Sequence, residues 1–168
     1  MTMKSTPILG RVVDLQTLLQ RKSHFLLGPR QTGKTTLIRQ TLPGVPVYDL
    51  LDSSVYLELS RDPGRLGEEI AEGTKVVVID EIQRLPELLN EIQRLIEGRG
   101  IRFLLTGSSA RKLRRGGVNL LGGRARTKYF HPLTYAELGD HFDLERAVER
   151  GTIPSIYFSD DAAADLDA

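Results

Sequence analysis

The sequence predicts an α/β domain in which helices cover both faces of a parallel sheet. Two apolar runs indicate that sheet: residues 25–27 precede a glycine-containing loop and a helical segment, and residues 76–79 are continuously apolar. A continuous apolar run of this kind is typical of a parallel strand that is covered on both faces. The 168 residues fit one domain that is long enough to bury a real core.

Hydrophobic spacing and turn residues predict the other elements in chain order. Leucine and valine residues share one helix face over 11–20, which we interpret as a core contact. Thr134 followed three residues later by Glu137 has the spacing of a capping box and starts a helix. The predicted strands cover 23–27, 47–50, 76–79, 101–105 and 129–130, and the predicted helices cover 11–20, 34–40, two pieces of 53–73, 86–98 and a stretch from 134 that 143–150 continues.

The most specific motif lies between the first predicted strand and the helix after it. Residues 28–36, GPRQTGKTT, match G-x-x-x-x-G-K-[ST] in the required context. Glycines let the backbone wrap a triphosphate, and the N–H groups at a helix start favour anions. Lys34 would bridge the β- and γ-phosphates, and the Thr35 hydroxyl would ligate Mg²⁺. The predicted nucleotide-binding residues are Gly28, Pro29, Arg30, Gln31, Thr32, Gly33, Lys34, Thr35 and Thr36.

Two acidic residues follow the apolar run at 76–79. Asp80 and Glu81 would lie at the carboxyl end of a parallel strand, where α/β sheets bind their ligands. Beside a phosphate loop, we expect Asp80 to hold Mg²⁺ through water and Glu81 to polarise the attacking water. Thr106 ends another predicted strand and is our candidate for a hydrogen bond to that water or to the γ-phosphate, with Ser108 behind it. Capping of a helix explains the serines at 108 and 109 equally well.

A basic stretch occupies residues 111–128. It holds seven basic residues and no acidic one, and it includes two glycine pairs that suggest a mobile loop. An arginine finger, a nucleic-acid patch, a phosphate lid and a solvated turn all fit such a stretch. Arg124 and Arg126 come just before the apolar pair that we expect to form the last strand. Because the net charge is only +1, we expect DNA binding through this stretch to be weak.

Composition excludes several classes of site. The chain has no cysteine, which rules out disulfides, thiolate catalysis and cysteine-based zinc sites. Its three histidines, His24, His131 and His141, form no metal-binding pattern. Neither an apolar signal region nor a run of about 20 apolar residues is present. We therefore expect a cytoplasmic protein that does not enter the membrane.

Five segments together resemble the AAA-type ATP-binding domain of a large bacterial and archaeal family: GPRQTGKTTL, VVVIDEIQRLPELL, FLLTGSSARKL, LLGGRA and FHPLTYAEL. The resemblance implies a P-loop NTPase fold, a three-layer α/β/α sandwich whose parallel sheet has the order 5-1-4-3-2. It also implies that ATP or ADP and Mg²⁺ bind at the phosphate loop, that Asp80 and Glu81 are the Walker B pair, and that Thr106 is the sensor. Arg124 would be a finger, supplied by a neighbouring subunit if the protein forms a ring or a dimer.

The resemblance also bears on domain organisation. Relatives in this family usually continue into a second domain of poorly defined role. We expect residues 1–157 to form the AAA-type domain, with 158–168 an acidic tail or the start of a missing C-terminal domain, so that the chain is a truncated form or a natural fragment.

Three functions follow from these residues. The first is an ATP hydrolase in which Glu81, Lys34 and an arginine act together. The second is a nucleotide-gated switch that turns over little ATP and is read by the missing domain or by a protein partner. The third is a small-molecule phosphotransferase with RKLRR as its lid, although an Asp-Glu pair suits activation of water better. A GTPase is disfavoured because no N-K-x-D motif occurs.

Overall fold

The structure is a computed structural model and describes residues 7–108, 113, 121–160 and 162. Its centre is a five-stranded sheet in the order β2-β3-β4-β1-β5, which confirms the predicted order read from the opposite side. Every neighbouring pair of strands is parallel. The strands are β1 (Ser23–Leu27), β2 (Val47–Asp49), β3 (Val76–Asp80), β4 (Arg102–Gly107) and β5 (Ala125–Tyr129).

Helices connect the strands and cover the sheet. Those preceding β5 are α1 (Leu15–Arg21), α2 (Lys34–Thr41), α3 (Ser53–Arg61), α4 (Arg65–Glu69) and α5 (Leu88–Arg99), with a 3₁₀ turn at Ile82–Arg84. After β5 come α6 (Tyr135–Leu138), a 3₁₀ turn at Gly139–His141, α7 (Leu144–Arg150) and α8 (Pro154–Tyr157). Over the described part of the chain, no helix is both long enough and apolar enough to span a membrane.

Alternation along the strands produces the three layers. Phe25, Val77 and Phe103 lie in one buried cluster with the apolar faces of α3, α4 and α5. Their chain neighbours Leu26 and Val78 lie in a second cluster, with leucines of α1 and α2. Because successive strand residues point to opposite faces, strands that are apolar at every position need a helical layer on each side. The predicted α/β/α sandwich is confirmed.

The last strand differs from its predicted position. β5 begins at Ala125, so Arg126 and Lys128 lie within it and do not precede it. Within the described part of the chain this strand pairs with β1 alone, and four of its five residues are exposed. An edge strand of this kind needs backbone pairing but little apolar surface, which explains why the hydrophobic pattern located only its end. The predicted continuation of the helix at 134 also proves to be a separate helix, with Asp143 as its N-cap.

Residues after β5 form a small helical unit on the edge of the sheet. Thr134 and Glu137 make the predicted capping box at the start of α6. Leu133, Leu138 and the fully buried Tyr157 form its core. The Tyr157 hydroxyl donates to the His141 carbonyl and accepts from the Asp143 N–H, each at 2.8 Å. These contacts place α8 beside the phosphate loop.

Candidate nucleotide-binding site

The phosphate loop lies at the carboxyl edge of the sheet, between β1 and α2. Gln31 and Gly33 have φ values of 62° and 91°, in the left-handed region that turns the chain sharply into the helix. A Cβ atom at Gly28 would lie 1.9 Å from the Phe130 carbonyl oxygen. The first glycine of the motif is therefore required by packing against the end of β5, and the second by backbone conformation.

Lys34 is held against the loop in this conformation. Its ammonium group donates to the carbonyls of Gly28 and Pro29, at 2.7 Å each, and the residue is 6% exposed. Burial lowers the pKa of Lys34, while the Glu81 and Asp80 carboxylates oppose the shift and Arg30 adds to it. The Thr32 hydroxyl, also buried, donates to the Pro29 carbonyl at 2.9 Å. The loop is thus closed by its own side chains around a cation that faces two acids.

Asp80 and Thr35, the two residues that we expect to bind magnesium, lie next to each other. The Thr35 hydroxyl donates to Asp80 Oδ2 at 3.2 Å, although the residues are 45 positions apart. Thr106 donates to Asp80 Oδ1, and its oxygen accepts the Glu81 backbone N–H at 3.0 Å. Thr106 is fully buried. The structure therefore brings Thr106 to the two acids, and its predicted contact with water or phosphate stays a prediction.

Glu81 has an unusual backbone and a partner that the sequence analysis missed. Its φ of 59° turns the chain immediately after β3, and the following 3₁₀ turn brings Gln83 back beside it. Gln83 Nε2 donates to the Glu81 carboxylate and lies 3.4 Å from Ser108 Oγ. Gln83 Oε1 is buried without a hydrogen-bond partner among the described residues, and a Cβ at Gly107 would lie 2.5 Å from it. Gln83 therefore fills the space between the acid and the end of β4.

A cleft of about 520 Å³ opens above these groups. Ser155 of α8 reaches it from the far side and donates to Gln31 Oε1 at 2.8 Å. Ser155 was missed because no motif marks the segment after Gly151. The other predicted loop residues, Gly28, Pro29 and Thr32, shape the loop from below. The cleft is lined by Arg30, Gln31, Gly33, Lys34, Thr35, Thr36, Leu51, Glu81 and Ser155.

A smaller cavity of about 120 Å³ adjoins the cleft. Gly33 and Thr36 line both spaces, so the two are neighbours at the start of α2. The rest of its wall is mainly apolar and comes from the N-terminal segment, α2 and the unit after β5: Pro7, Ile8, Leu9, Leu37, Leu133 and Pro154.

Arg11 joins the phosphate loop to the helical unit after β5, a role that the sequence analysis also missed. Its guanidinium donates to Thr32 O at 2.7 Å, to His131 O at 2.6 Å and to Glu137 Oε1 at 3.0 Å, and it lies 4.0 Å over the Phe130 ring. The Arg11 and Glu137 side chains are 7% and 4% exposed. Burial would raise the pKa of Glu137, but the N–H groups of Thr134 and Val12 and the Arg11 guanidinium outweigh it and lower that pKa.

Arg124 does not lie at this site. It precedes β5 at the amino edge of the sheet, where its Nε lies 2.5 Å from Glu97 Oε1. The five residues of a parallel strand separate it from the carboxyl edge, so it cannot act as a finger on its own chain's phosphate loop. A role in a neighbouring subunit stays a prediction. The cleft's own arginine is Arg30. Ser109 and much of the basic stretch at 111–128 lie outside the described residues.

Comparisons with known proteins agree with this geometry. Residues 20–139 match the sequence model of the AAA domain family. No curated protein matches the chain. Among solved structures, a Signal Transduction ATPase with Numerous Domains (STAND) protein with a tetratricopeptide repeat sensor, from Pyrococcus horikoshii, is similar over 95% of this chain, with a TM-score of 0.50 and 18% identity.

This similarity to a solved structure shows the fold alone, and the matched region is 28% of that protein's length. The family match covers most of the chain, from α1 to the end of α6, and so includes the phosphate loop and both acids. The chain therefore belongs to the AAA domain family and has the fold of an ATPase-type nucleotide-binding domain.

Proposed function

We propose that this domain binds ATP with Mg²⁺ at the phosphate loop and hydrolyses it slowly. The observation that carries the proposal is that Thr35, bonded to Asp80, lines the same cleft as Glu81 and Lys34. A hydroxyl from a helix start and a carboxylate from a strand end are oxygen ligands of the kind that Mg²⁺ takes beside substrate phosphates. Residues far apart in sequence thus lie at or beside one cleft.

Lys34 would exchange its bonds to the loop carbonyls for bonds to the β- and γ-phosphates. Its hydrogen bonds to the Gly28 and Pro29 carbonyls already hold the ammonium group at the loop. Arg30 lines the same cleft and supplies a second positive charge for the phosphates. Binding a triphosphate would therefore also relieve the mutual repulsion of Lys34 and Arg30, which contributes to the lowered pKa of Lys34.

Thr35 and Asp80 would hold Mg²⁺, which when bound neutralises charge that develops on the phosphates. Thr106 fixes the Asp80 carboxylate from behind through its hydroxyl. Glu81 would accept a proton from the attacking water, since its carboxylate lines the cleft while its backbone is anchored by Thr106. The small cavity next to Thr36 suits a flat apolar ring, so we assign it to the adenine.

The runner-up is a nucleotide-gated switch, and two contacts favour it. Gln83 occupies the Glu81 carboxylate, and Arg124 is remote from the loop of its own chain. Both features predict slow turnover by a single subunit. The bond from Ser155 to Gln31 would let the helical unit after β5 respond to what the cleft contains. A phosphotransferase has no further support, because its predicted lid at 111–115 lies largely outside the described residues.

Binding of a fluorescent ATP analogue with Mg²⁺ tests the proposal. We expect Lys34→Ala to weaken binding by at least about tenfold, the loss of one charge-assisted hydrogen bond to phosphate. Arg39→Ala, which removes an exposed cation from the same helix, is the matched control and should bind like the wild type. Absence of binding by the wild type, or equal binding by Lys34→Ala, would contradict the proposal.

A further inference from the structure

The amino edge of the sheet carries a concave basic site that no step of nucleotide hydrolysis uses. The concavity has a volume of about 370 Å³. Cationic residues of α1, its C-cap, β4 and the residue before β5 line it, together with glycines at the end of α5 and before β5: Arg21, Lys22, Arg102, Arg124, Gly100 and Gly123. We name this set of residues the basic concavity.

Strand register aligns three of these cations. β1 pairs His24 with Leu104 of β4 and Ser23 with Ala125 of β5. Extending both pairings toward the amino edge brings Lys22 level with Arg102 on one side and with Arg124 on the other. Neighbouring strands are about 4.8 Å apart, so three cationic residues stand in a row across the sheet.

Folding alone does not account for this row. Like charges on neighbouring strands destabilise a sheet, and Glu97 balances only Arg124. Arg21, in the last turn of α1, favourably meets the helix dipole, but Lys22 and Arg102 have no such explanation. Arg99, at the same edge, donates to the carbonyls of Gly67, Ile70 and Ala71. Its role is therefore structural, and it is not part of the basic concavity.

Arg102 has an unmet hydrogen-bond donor. Its Nε is buried and has no partner among the described residues. A buried guanidinium N–H without an acceptor costs free energy, and this group belongs to a residue that lines the concavity. Arginine also suits phosphate in particular, because its planar group donates in pairs to phosphate oxygens.

We propose that the basic concavity binds phosphate groups of a nucleic-acid backbone. A row of cations across three strands fits a chain of phosphates better than one small anion. The site is remote from the nucleotide, since Lys22 and Gly28 are six residues apart along β1, about 20 Å at 3.3 Å per residue. Nucleic acid and ATP would then bind to opposite edges of one sheet, at independent sites.

Fluorescence anisotropy of a short labelled DNA duplex, titrated with the full chain at about 50 mM salt and above, tests the proposal. Because Glu97 balances Arg124, phosphate contacts from the other three cations, Arg21, Lys22 and Arg102, predict a salt slope of about −2.7 in log–log form. The double variant R21E/K22E should weaken binding at least about tenfold and make the slope shallower by about 2. R39E/R61E changes the net charge by the same amount at exposed positions elsewhere and should bind within about twofold of the wild type.

Two outcomes of this titration would overturn the proposal: no DNA binding at about 50 mM salt, or equal losses of binding in the two double variants. Lys34→Ala separates this site from the phosphate loop, and retained DNA binding in that variant supports the basic concavity. Loss of DNA binding in Lys34→Ala would instead assign the DNA to the loop. Thermal unfolding of Lys22→Ala adds a readout independent of DNA, because relief of repulsion should leave the melting temperature unchanged or higher.

Discussion

At the carboxyl edge of the sheet, two polar side chains are buried and bonded to each other, whereas at the amino edge two half-exposed cations line the basic concavity. Asp80 and Thr106 form the first arrangement, and Lys22 and Arg102 the second. Both edges consist of the ends of the same strands. The difference shows that nearly neutral net charge hides a strong local separation of charge, so the argument from +1 against nucleic acid applies to the whole chain and not to one face.

The largest contrast concerns the ion pair at each edge. Glu137→Ala should lower the free energy of unfolding by about 3 kcal/mol, since it leaves the buried Arg11 guanidinium without its carboxylate. Glu97→Ala at the amino edge should lower it by less than about 1 kcal/mol, because the Arg124–Glu97 pair is largely exposed. Urea denaturation of both variants measures the contrast, and equal losses would contradict it.

The dependence of stability on pH tests the same Arg11–Glu137 ion pair. The pKa of Glu137 is lowered by folding, so the stability this group contributes is present above its ordinary value of 4.5 and is lost as the pH falls through the folded-state pKa. Glu137→Gln should lack this part of the acid dependence. A Glu137→Gln curve parallel to that of the wild type would mean that the ion pair has no linkage to stability.

The next prediction compares alanine substitutions at two glycines, one in the phosphate loop and one near the amino edge. Gly28→Ala should cost about 2 kcal/mol in unfolding free energy, because its Cβ would overlap the Phe130 carbonyl. Gly98→Ala, in α5 near the amino edge, meets nothing within 4 Å and should stabilise the domain by about 0.5 kcal/mol. Thermal unfolding compares the two, and an unchanged midpoint for Gly28→Ala would contradict the close packing at the loop.

The smallest effect concerns catalysis. Gln83→Ala should lower kcat for ATP about tenfold with little change in KM, because the Glu81 carboxylate loses the amide that orients it. Gln93→Ala, which removes a half-buried glutamine of α5 remote from the cleft, is the matched control. A faster Gln83→Ala enzyme would show that Gln83 restrains Glu81, which would favour the switch.

The sequence predicted the features that depend only on the spacing of residues close together in the chain. The loop at 28–36, the acids after β3 and the capping box at Thr134 each depend on residues within one short segment, so the sequence located them. Arg11, Gln31 with Ser155, and the position of Arg124 depend on how distant segments pack. Arg11 and Glu137 are 126 residues apart, and a hydrophobic pattern carries no information about such a partner.

The sequence analysis also did not establish at which end of β5 Arg124 lies. A basic residue that follows a parallel strand lies at the carboxyl edge, near the phosphate loop, whereas one that precedes the strand lies at the opposite edge. Which of the two holds depends on where the strand begins. Because β5 is a polar edge strand, its start at Ala125 was not visible in the pattern. The predicted roles of Lys34, Thr35, Asp80, Glu81 and Thr106 stay predictions, now with their geometry known.

ATP turnover with Mg²⁺ across a range of protein concentration, for the wild type, Glu81→Gln and Arg124→Ala, tests the central claim most directly. We predict slow turnover that falls by at least about 100-fold in Glu81→Gln, the usual loss for a general base, while the nucleotide still binds. Below the concentration at which subunits associate, Arg124→Ala should turn over ATP like the wild type. Equal turnover by Glu81→Gln and the wild type, at every concentration, would contradict hydrolysis at this site.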